Sequence, residues 1–252
     1  MKPETYSLKP SSTKHLFIAV PTYDGRMDKA TLDCLNAAMA EAKAKGWEAT
    51  FLRWAGDGLI ANARNGIVAR FLASKATDLV FVDSDIAWDD GALIRLVEHE
   101  VDFVVGVYRY KKEPESYPLV MLDDGVDPRD KTAGLLRIAL APAGFMRLSR
   151  SCLERMVRFY ADRVYQHTRA GKAWCLFDCG LRGEFYWGED YTFCQRWRDI
   201  GGAIWADPYL TLHHWGFVDT NKVDLGRRAY SGCLAEWFKT KPTVKIECSE
   251  AA

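Results

Sequence analysis

An α/β fold with a mostly parallel sheet flanked by helices is the architecture this sequence predicts, and three observations predict it. Over residues 15–107, strand-like runs alternate with helix-period runs at the spacing of βαβ units. Among them, Leu79-Val80-Phe81-Val82 is a continuous apolar run, as a strand buried on both faces of a parallel sheet requires. Beyond residue 107 the alternation breaks into Pro- and Gly-containing turns around short apolar runs, which adds a smaller antiparallel part.

Residues 1–13 read as a polar tail. A first strand is expected over 15–20, stopped by Pro21, and a helix over 30–44 with Leu32, Leu35, Ala38, Met39 and Ala42 on one face and Gly46 ending it. Residues 49–54 form a second strand, 59–73 a second helix, 78–82 a third strand, 91–98 a third helix and 101–107 a fourth strand. In 108–142, Pro114, Pro118, Asp123-Asp124-Gly125 and Asp127-Pro128 mark turns between short strands such as 135–140. Helical patterns return over 151–161, 189–200 and 227–239. With no internal repeat or clear linker, 14–217 is read as one catalytic domain, flanked by the tail and by a helical extension over 218–252.

At 252 residues the chain can bury a substantial core. Net charge is zero, so bulk charge selects no partner, but its distribution is uneven. Residues 83–130 hold thirteen acids and five bases. Residues 143–172 hold two acids and seven bases (Arg147, Arg150, Arg155, Arg158, Arg163, Arg169 and Lys172). Solvated helix charge explains such a stretch, and an anionic acceptor is the sharper alternative. Seven scattered cysteines without a Cys-x-x-Cys pair read as reduced thiols of a cytoplasmic protein. Neither a signal-peptide segment nor an apolar run long enough to span a membrane is visible, so a soluble protein is expected.

The chemistry concentrates at Asp83-Ser84-Asp85, two carboxylates at the end of the buried strand, where ligands of a parallel sheet bind. Oxygen ligands there suit Mg2+ or Mn2+, which in turn bridge phosphates. Helix capping is the bland explanation of the same pair. Pro21-Thr22-Tyr23-Asp24 offers backbone groups, an aromatic face and a carboxylate to a base and ribose. Arg64, within Asn62-Ala63-Arg64-Asn65, has the planar fork that matches a phosphate. Glu189 and Asp190 open a helix, where acids also complement the dipole. His213-His214 lie in an apolar strand and so point to opposite sides, which lets one face the crevice as a third metal ligand. A zinc site from Cys175 and Cys179 with either histidine is a weaker possibility.

In their order and spacing these segments resemble the GT-A class of nucleotide-sugar glycosyltransferases, family-2-like members above all. The resemblance is carried by Pro21 to Asp24, Asp83-Ser84-Asp85, Gly188-Glu189-Asp190 and His214-Trp215-Gly216. It implies a GT-A-type sheet with the antiparallel part on the acceptor side, a UDP-sugar donor and Mn2+ or Mg2+. Asp83 would bind ribose or metal, Asp85 the metal, and His214 would complete the coordination. Pro21, Thr22, Tyr23, Asp24, Arg64, Asp83 and Ser84 would hold the nucleotide, with Tyr108, Lys111 and Lys112 lining the donor pocket. Asp190 would be the base of an inverting transfer and Glu189 its support. The acceptor hydroxyl could belong to a saccharide, a protein or a hydroxylated DNA base.

Other classes compete. Gly56-Asp57-Gly58-Leu59-Ile60-Ala61 fits a dinucleotide-binding fingerprint, with Asp78 as the acid about 20 residues on, and would suit an NAD-dependent oxidoreductase. An Asp-x-Asp phosphatase is a further option, although Ala87 replaces the Thr often found two residues after the second Asp. A nucleotide-binding module without transfer activity is the last.

Overall fold

A computed structural model describes residues 14–122, 134–217 and 226–240. The tail, the turns at 123–130, and 218–225 and 241–252 of the C-terminal segment lie outside the described residues.

The first part alternates as expected: β1 (His15–Thr22), α1 (Lys29–Ala44), β2 (Glu48–Ala55), α2 (Ile60–Ala73) and β3 (Asp78–Val82). A short β4 (Ile86–Trp88) precedes α3 (Ala92–Glu98) and β5 (Phe103–Gly106). Then come β6 (Val120–Met121), β7 (Leu136–Leu140), β8 (Phe145–Ser149) and α4 (Arg150–Phe159). Two hairpins follow, β9 (Val164–His167) with β10 (Gly171–Trp174), and β11 (Gly180–Arg182) with β12 (Phe185–Trp187). The chain continues through α5 (Glu189–Asp199), β13 (Ile204–Asp207), β14 (Thr211–Phe217), β15 (Arg227–Cys233) and α6 (Leu234–Thr240).

Eight strands form the main sheet in the order β2-β1-β3-β8-β5-β13-β7-β6. By the pairings, β2, β1, β3, β5, β13 and β6 run one way, while β8 and β7 run the other. A second, antiparallel sheet, β15-β14-β4, lies at the carboxyl end of β3. The expected architecture is therefore present. Period-2 alternation sends β1 and β3 side chains to two cores. Phe17, Ala19, Leu79 and Phe81 pack with Ile67 and Phe71 of α2. Leu16, Ile18, Val20, Val80 and Val82 pack with Leu35 of α1 and Leu93 and Leu96 of α3.

Three expectations are corrected. β1 does not stop at Pro21 but runs to Thr22, paired with β2 through Ala55. Its pairing with β3 ends at Ala19, so the missing N–H of Pro21 falls where one flank is unpaired. Residues 227–239 are not one helix: β15 pairs with β14 over seven residues and only the rest is α6. Gly232 of β15 explains part of this, since a Cβ there would overlap the Tyr117 hydroxyl. Leu32 is 41% exposed and stands off the buried face of α1. The sequence also hid β8, the antiparallel strand between β3 and β5, because Arg147 interrupts its apolar run. Arg147 is tolerated there because it pairs with Asp78.

Candidate active site

β3 ends at Val82, and the backbone leaves the sheet through Asp83, Ser84 and Asp85 before β4 carries it to β14. The Asp83 N–H donates to the Gly144 carbonyl at 2.9 Å. Gly144 has to be glycine here, because a Cβ would overlap the Asp83 carboxylate and crowd the Tyr108 ring. That approach fixes Asp83 at the sheet's carboxyl edge.

Arg64 organises one half of the site. It is buried on α2 and donates to Asp83 Oδ1 at 2.8 Å, to Glu189 Oε1 at 3.2 Å and to the Ala143 carbonyl at 3.4 Å. Its guanidinium lies over the Phe81 ring. The fork therefore serves two carboxylates of the protein, and Arg64 positions the site from below; it is buried against these partners and is not the exposed phosphate ligand expected of it. Tyr108 closes Asp83 from the other side, its hydroxyl 3.5 Å from Oδ2. Burial, then Asp83, push that hydroxyl well above its ordinary value, so it stays a donor.

Asp85 belongs to the second half. Lys111 donates to its Oδ2, and His214 Nε2 lies 3.7 Å from the same oxygen. Burial alone would raise this carboxyl, but His214 and Lys111 outweigh it and hold it down at about 2. His214 Nδ1 lies 3.0 Å from the Arg109 carbonyl, which can only accept. Nδ1 therefore carries a proton, and Nε2 is the nitrogen turned toward Asp85. His213 faces the other way, against Asp89 and Ser231. Asp28, whose N–H donates to the Ser84 carbonyl at 2.8 Å, adds a carboxylate nearby, paired with Arg227 at 2.6 Å.

Glu189 and Asp190 open α5, and the two point apart as adjacent helical residues do. Glu189 is taken by Arg64, while Asp190 accepts from the Tyr191 N–H at 2.8 Å. Burial, reinforced by Glu189, raises the Asp190 carboxyl to about 6. Of the pair, Asp190 is the one with no cation partner among the described residues, and its carboxyl is poised near neutrality.

The turn after β1 lies beside these groups. Pro21 and Thr22 are buried, and Thr22 Oγ1 accepts from the N–H of Gly25, whose φ of 86° permits the turn. Asp24 is folded onto Arg26, and Tyr23 is 80% exposed. Lys112 points outward over the Tyr110 ring. Ser84 contributes its carbonyl to Asp28.

A divalent ion fits part of this set. Asp85 Oδ2 and His214 Nε2, 3.7 Å apart, are close enough to share one when the imidazole is neutral, with substrate oxygens supplying the rest, as Mg2+ and Mn2+ sites commonly do. Asp83 is the correction: its oxygens are engaged by Arg64 and Tyr108, and it does not complete a three-ligand cluster. Among the described residues no group of three His, Cys, Asp or Glu is arranged to hold a metal, which also disposes of the zinc site from Cys175 and Cys179.

Two other expectations change. Asp78 lies at the start of β3, the edge opposite the site, paired with Arg147, so it cannot serve the dinucleotide fingerprint. The basic stretch is in part structural. Arg147 is buried, Arg150 donates to the Phe71, Ser74 and Ala76 carbonyls, Arg155 to Ile200, and Arg169 to Ala55. Arg155, Arg158, Arg163, Arg169 and Lys172 keep exposed surface, as a solvated basic face does. No helix among the described residues is long and apolar enough to cross a membrane.

Comparison with known proteins adds the outline. No family model matches the chain, and no curated protein matches it. Solved structures do. A197 from STIV is similar at 17% identity and a TM-score of 0.48, over 86% of this chain and 94% of its own. The catalytic domain of Drosophila β1,4-galactosyltransferase 7, complexed with xylobiose, is similar at 12% identity and 0.41, over 94% and 77%. GalNAc-T7 with UDP, GalNAc and Mn2+ is similar at 12% and 0.45, over 81% and 44%. At these scores the likeness is one of outline, and the functional reading stands on the geometry above.

Proposed function

We propose that this chain transfers a sugar from a nucleoside-diphosphate sugar to an acceptor hydroxyl, with inversion, using Asp190 as general base. The observation that carries the reading is the division of labour among the carboxylates. Arg64 fixes Asp83 and Glu189, Asp85 faces His214, and Asp190 has no cation partner among the described residues, with its carboxyl raised to about 6. A base needs that combination of proximity and a pKa near the working pH.

Asp83, locked between Arg64 and Tyr108, would orient the ribose end of the donor. Asp85 and His214 would hold Mn2+ or Mg2+, which when bound neutralises charge on the departing diphosphate. Tyr23, exposed at the turn after β1, offers a free face for the base. Four carboxylates, Asp83, Asp85, Glu189 and Asp190, face two fixed cations, Arg64 and Lys111. That surplus of negative charge favours a donor that arrives with a divalent cation. The acceptor is assigned to the β11–β12 hairpin, which runs directly into Glu189 and Asp190. Its Phe185 and Tyr186 are 52% and 67% exposed, and aromatic faces of this kind stack on saccharide rings.

UDP-sugars with Mn2+ are the donors to try first. Release of free nucleoside diphosphate across a panel of donors should single out one nucleotide. No release with any donor, with or without an acceptor mixture, would remove the transferase reading. UDP binding that survives in that case would favour a nucleotide-binding module.

A further inference from the structure

Resting on the donor reading above, we infer that Lys111 is a built-in counter-ion which competes with the divalent cation for Asp85. The Lys111 ammonium and His214 Nε2 converge on the same oxygen, Asp85 Oδ2. An ion shared by Asp85 and His214 would meet that ammonium at the same carboxylate oxygen. The ammonium brings three donors and no lone pair, so it satisfies the carboxylate but offers the ion nothing.

The placement is built rather than incidental. The Lys111 stem crosses the face of Gly216, where a Cβ would overlap its Cδ and crowd Cε and Cγ. The third residue of His214-Trp215-Gly216 therefore serves as the trough that lets Lys111 reach Asp85. Around Lys111 the backbone is tied down: the Tyr110 N–H donates to the Ser116 carbonyl at 2.9 Å, and Arg109 donates to the Lys112 carbonyl and to Glu113, each at 2.9 Å. Arg109 also supplies the carbonyl that sets the His214 tautomer. One short loop thus positions both the metal-facing nitrogen and its competitor. The Lys111 side chain is 31% exposed, so it can leave Asp85 without the loop moving.

Competition has a definite consequence. Without nucleotide, the divalent cation must displace an ammonium. With a diphosphate present, the displaced ammonium gains an anion, so nucleotide and cation bind cooperatively, each strengthening the other by the same factor. The cation is then held firmly only when the donor is there to use it.

Free Mn2+ would be followed by electron paramagnetic resonance while it is titrated into wild type, Lys111→Met and Gly216→Ala, with and without UDP. In the absence of UDP, Lys111→Met should bind Mn2+ about tenfold or more tightly than wild type, because a unit positive charge beside the ion is gone. The enhancement by UDP seen in wild type should shrink or vanish in the variant. Gly216→Ala, which pushes the lysine stem off its seat, should tighten Mn2+ in the same direction, and it decides the matter if Lys111→Met does not fold. Equal or weaker Mn2+ binding in the folded variants, with UDP still bound by wild type, would overturn the competition alone. Absence of both UDP and Mn2+ binding in wild type would overturn it together with the donor reading.

Discussion

The two ends of β3 each set an aspartate against an arginine, and they are built on opposite plans. At the start of the strand, Asp78 accepts from Arg147 through Nε at 2.7 Å and through one terminal nitrogen, and from Thr77 Oγ1 at 2.6 Å, while the other terminal nitrogen of Arg147 donates to the Val101 carbonyl. Both partners are buried, and the cluster closes on itself. At the end of the strand, Arg64 divides one positive charge between Asp83 and Glu189, and leaves Asp190 and Asp85 for other company. The first arrangement matches one carboxylate with one guanidinium. The second has a surplus of carboxylate at a sheet edge open to water. An ion pair holds a fold when it is closed, and becomes a site when it is left one cation short.

Breaking the closed end should give the largest effect. Arg147→Leu leaves Asp78 ionised and buried without its partner, so urea unfolding should show a loss of about 3–5 kcal/mol. A loss under about 1 kcal/mol would mean that Asp78 reaches water or a proton, and the contrast between the two ends would fail.

At the open end the first effect is on rate. Asp190→Asn keeps size and hydrogen bonding but cannot accept a proton, so turnover should fall by about 10²-fold or more while UDP affinity stays unchanged. In wild type, kcat/KM should rise with pH through about 6, where Asp190 loses its proton, and the variant should lack that limb. Near-normal turnover in the variant would move the base elsewhere, with Glu189→Gln the next substitution to measure.

The same substitution sharpens the comparison through stability. Asp190 has its carboxyl raised from 3.8 to about 6 in the folded chain, so the folded state holds this proton more tightly than the unfolded one. Stability therefore falls as pH rises across that window, and the cost persists above it. Asp190→Asn removes a recessed charge and should raise stability at pH 7.5 by on the order of 1–3 kcal/mol, with less gain below pH 4. A site residue that stabilises the protein when neutralised is the reverse of Arg147.

The smallest effect belongs to the closed end again. Ser149 caps α4, its Oγ accepting from the Cys152 N–H at 3.0 Å. Ser149→Ala should cost about 1 kcal/mol in thermal or urea melts and leave turnover alone. A change in turnover would show that the two ends of the sheet are coupled.

Much of this was legible along the chain. Leu79-Val80-Phe81-Val82 announced the central strand because it is buried on both faces, where no alternation with polar residues is allowed. Gly46, with a φ of 73°, ended α1 as a glycine in that region does. The tandem histidines pointed apart because strand geometry leaves no other choice. β8 was hidden, since an arginine in a central strand is unreadable without the aspartate 69 residues away that accepts it. β15 was misread as the start of the helix that follows it, and pairing with β14 over seven residues overrode that local reading.

The sequence by itself determined the α/β alternation, the carboxylates at the end of β3 and the acids opening α5, because these follow from periodicity and from residue type at element ends. Only the tertiary structure decided which of those groups are committed. Arg64 was read as a phosphate ligand and is bound to Asp83 and Glu189; Lys111 was read as pocket lining and sits on Asp85; Asp83 was read as a metal ligand and is locked by Arg64 and Tyr108. The physical reason is range. Secondary structure is set by neighbours a few residues apart, whereas the state of a charge is set by whatever the fold brings within about 4 Å of it, across separations of 19, 125 and 26 residues in these three pairs.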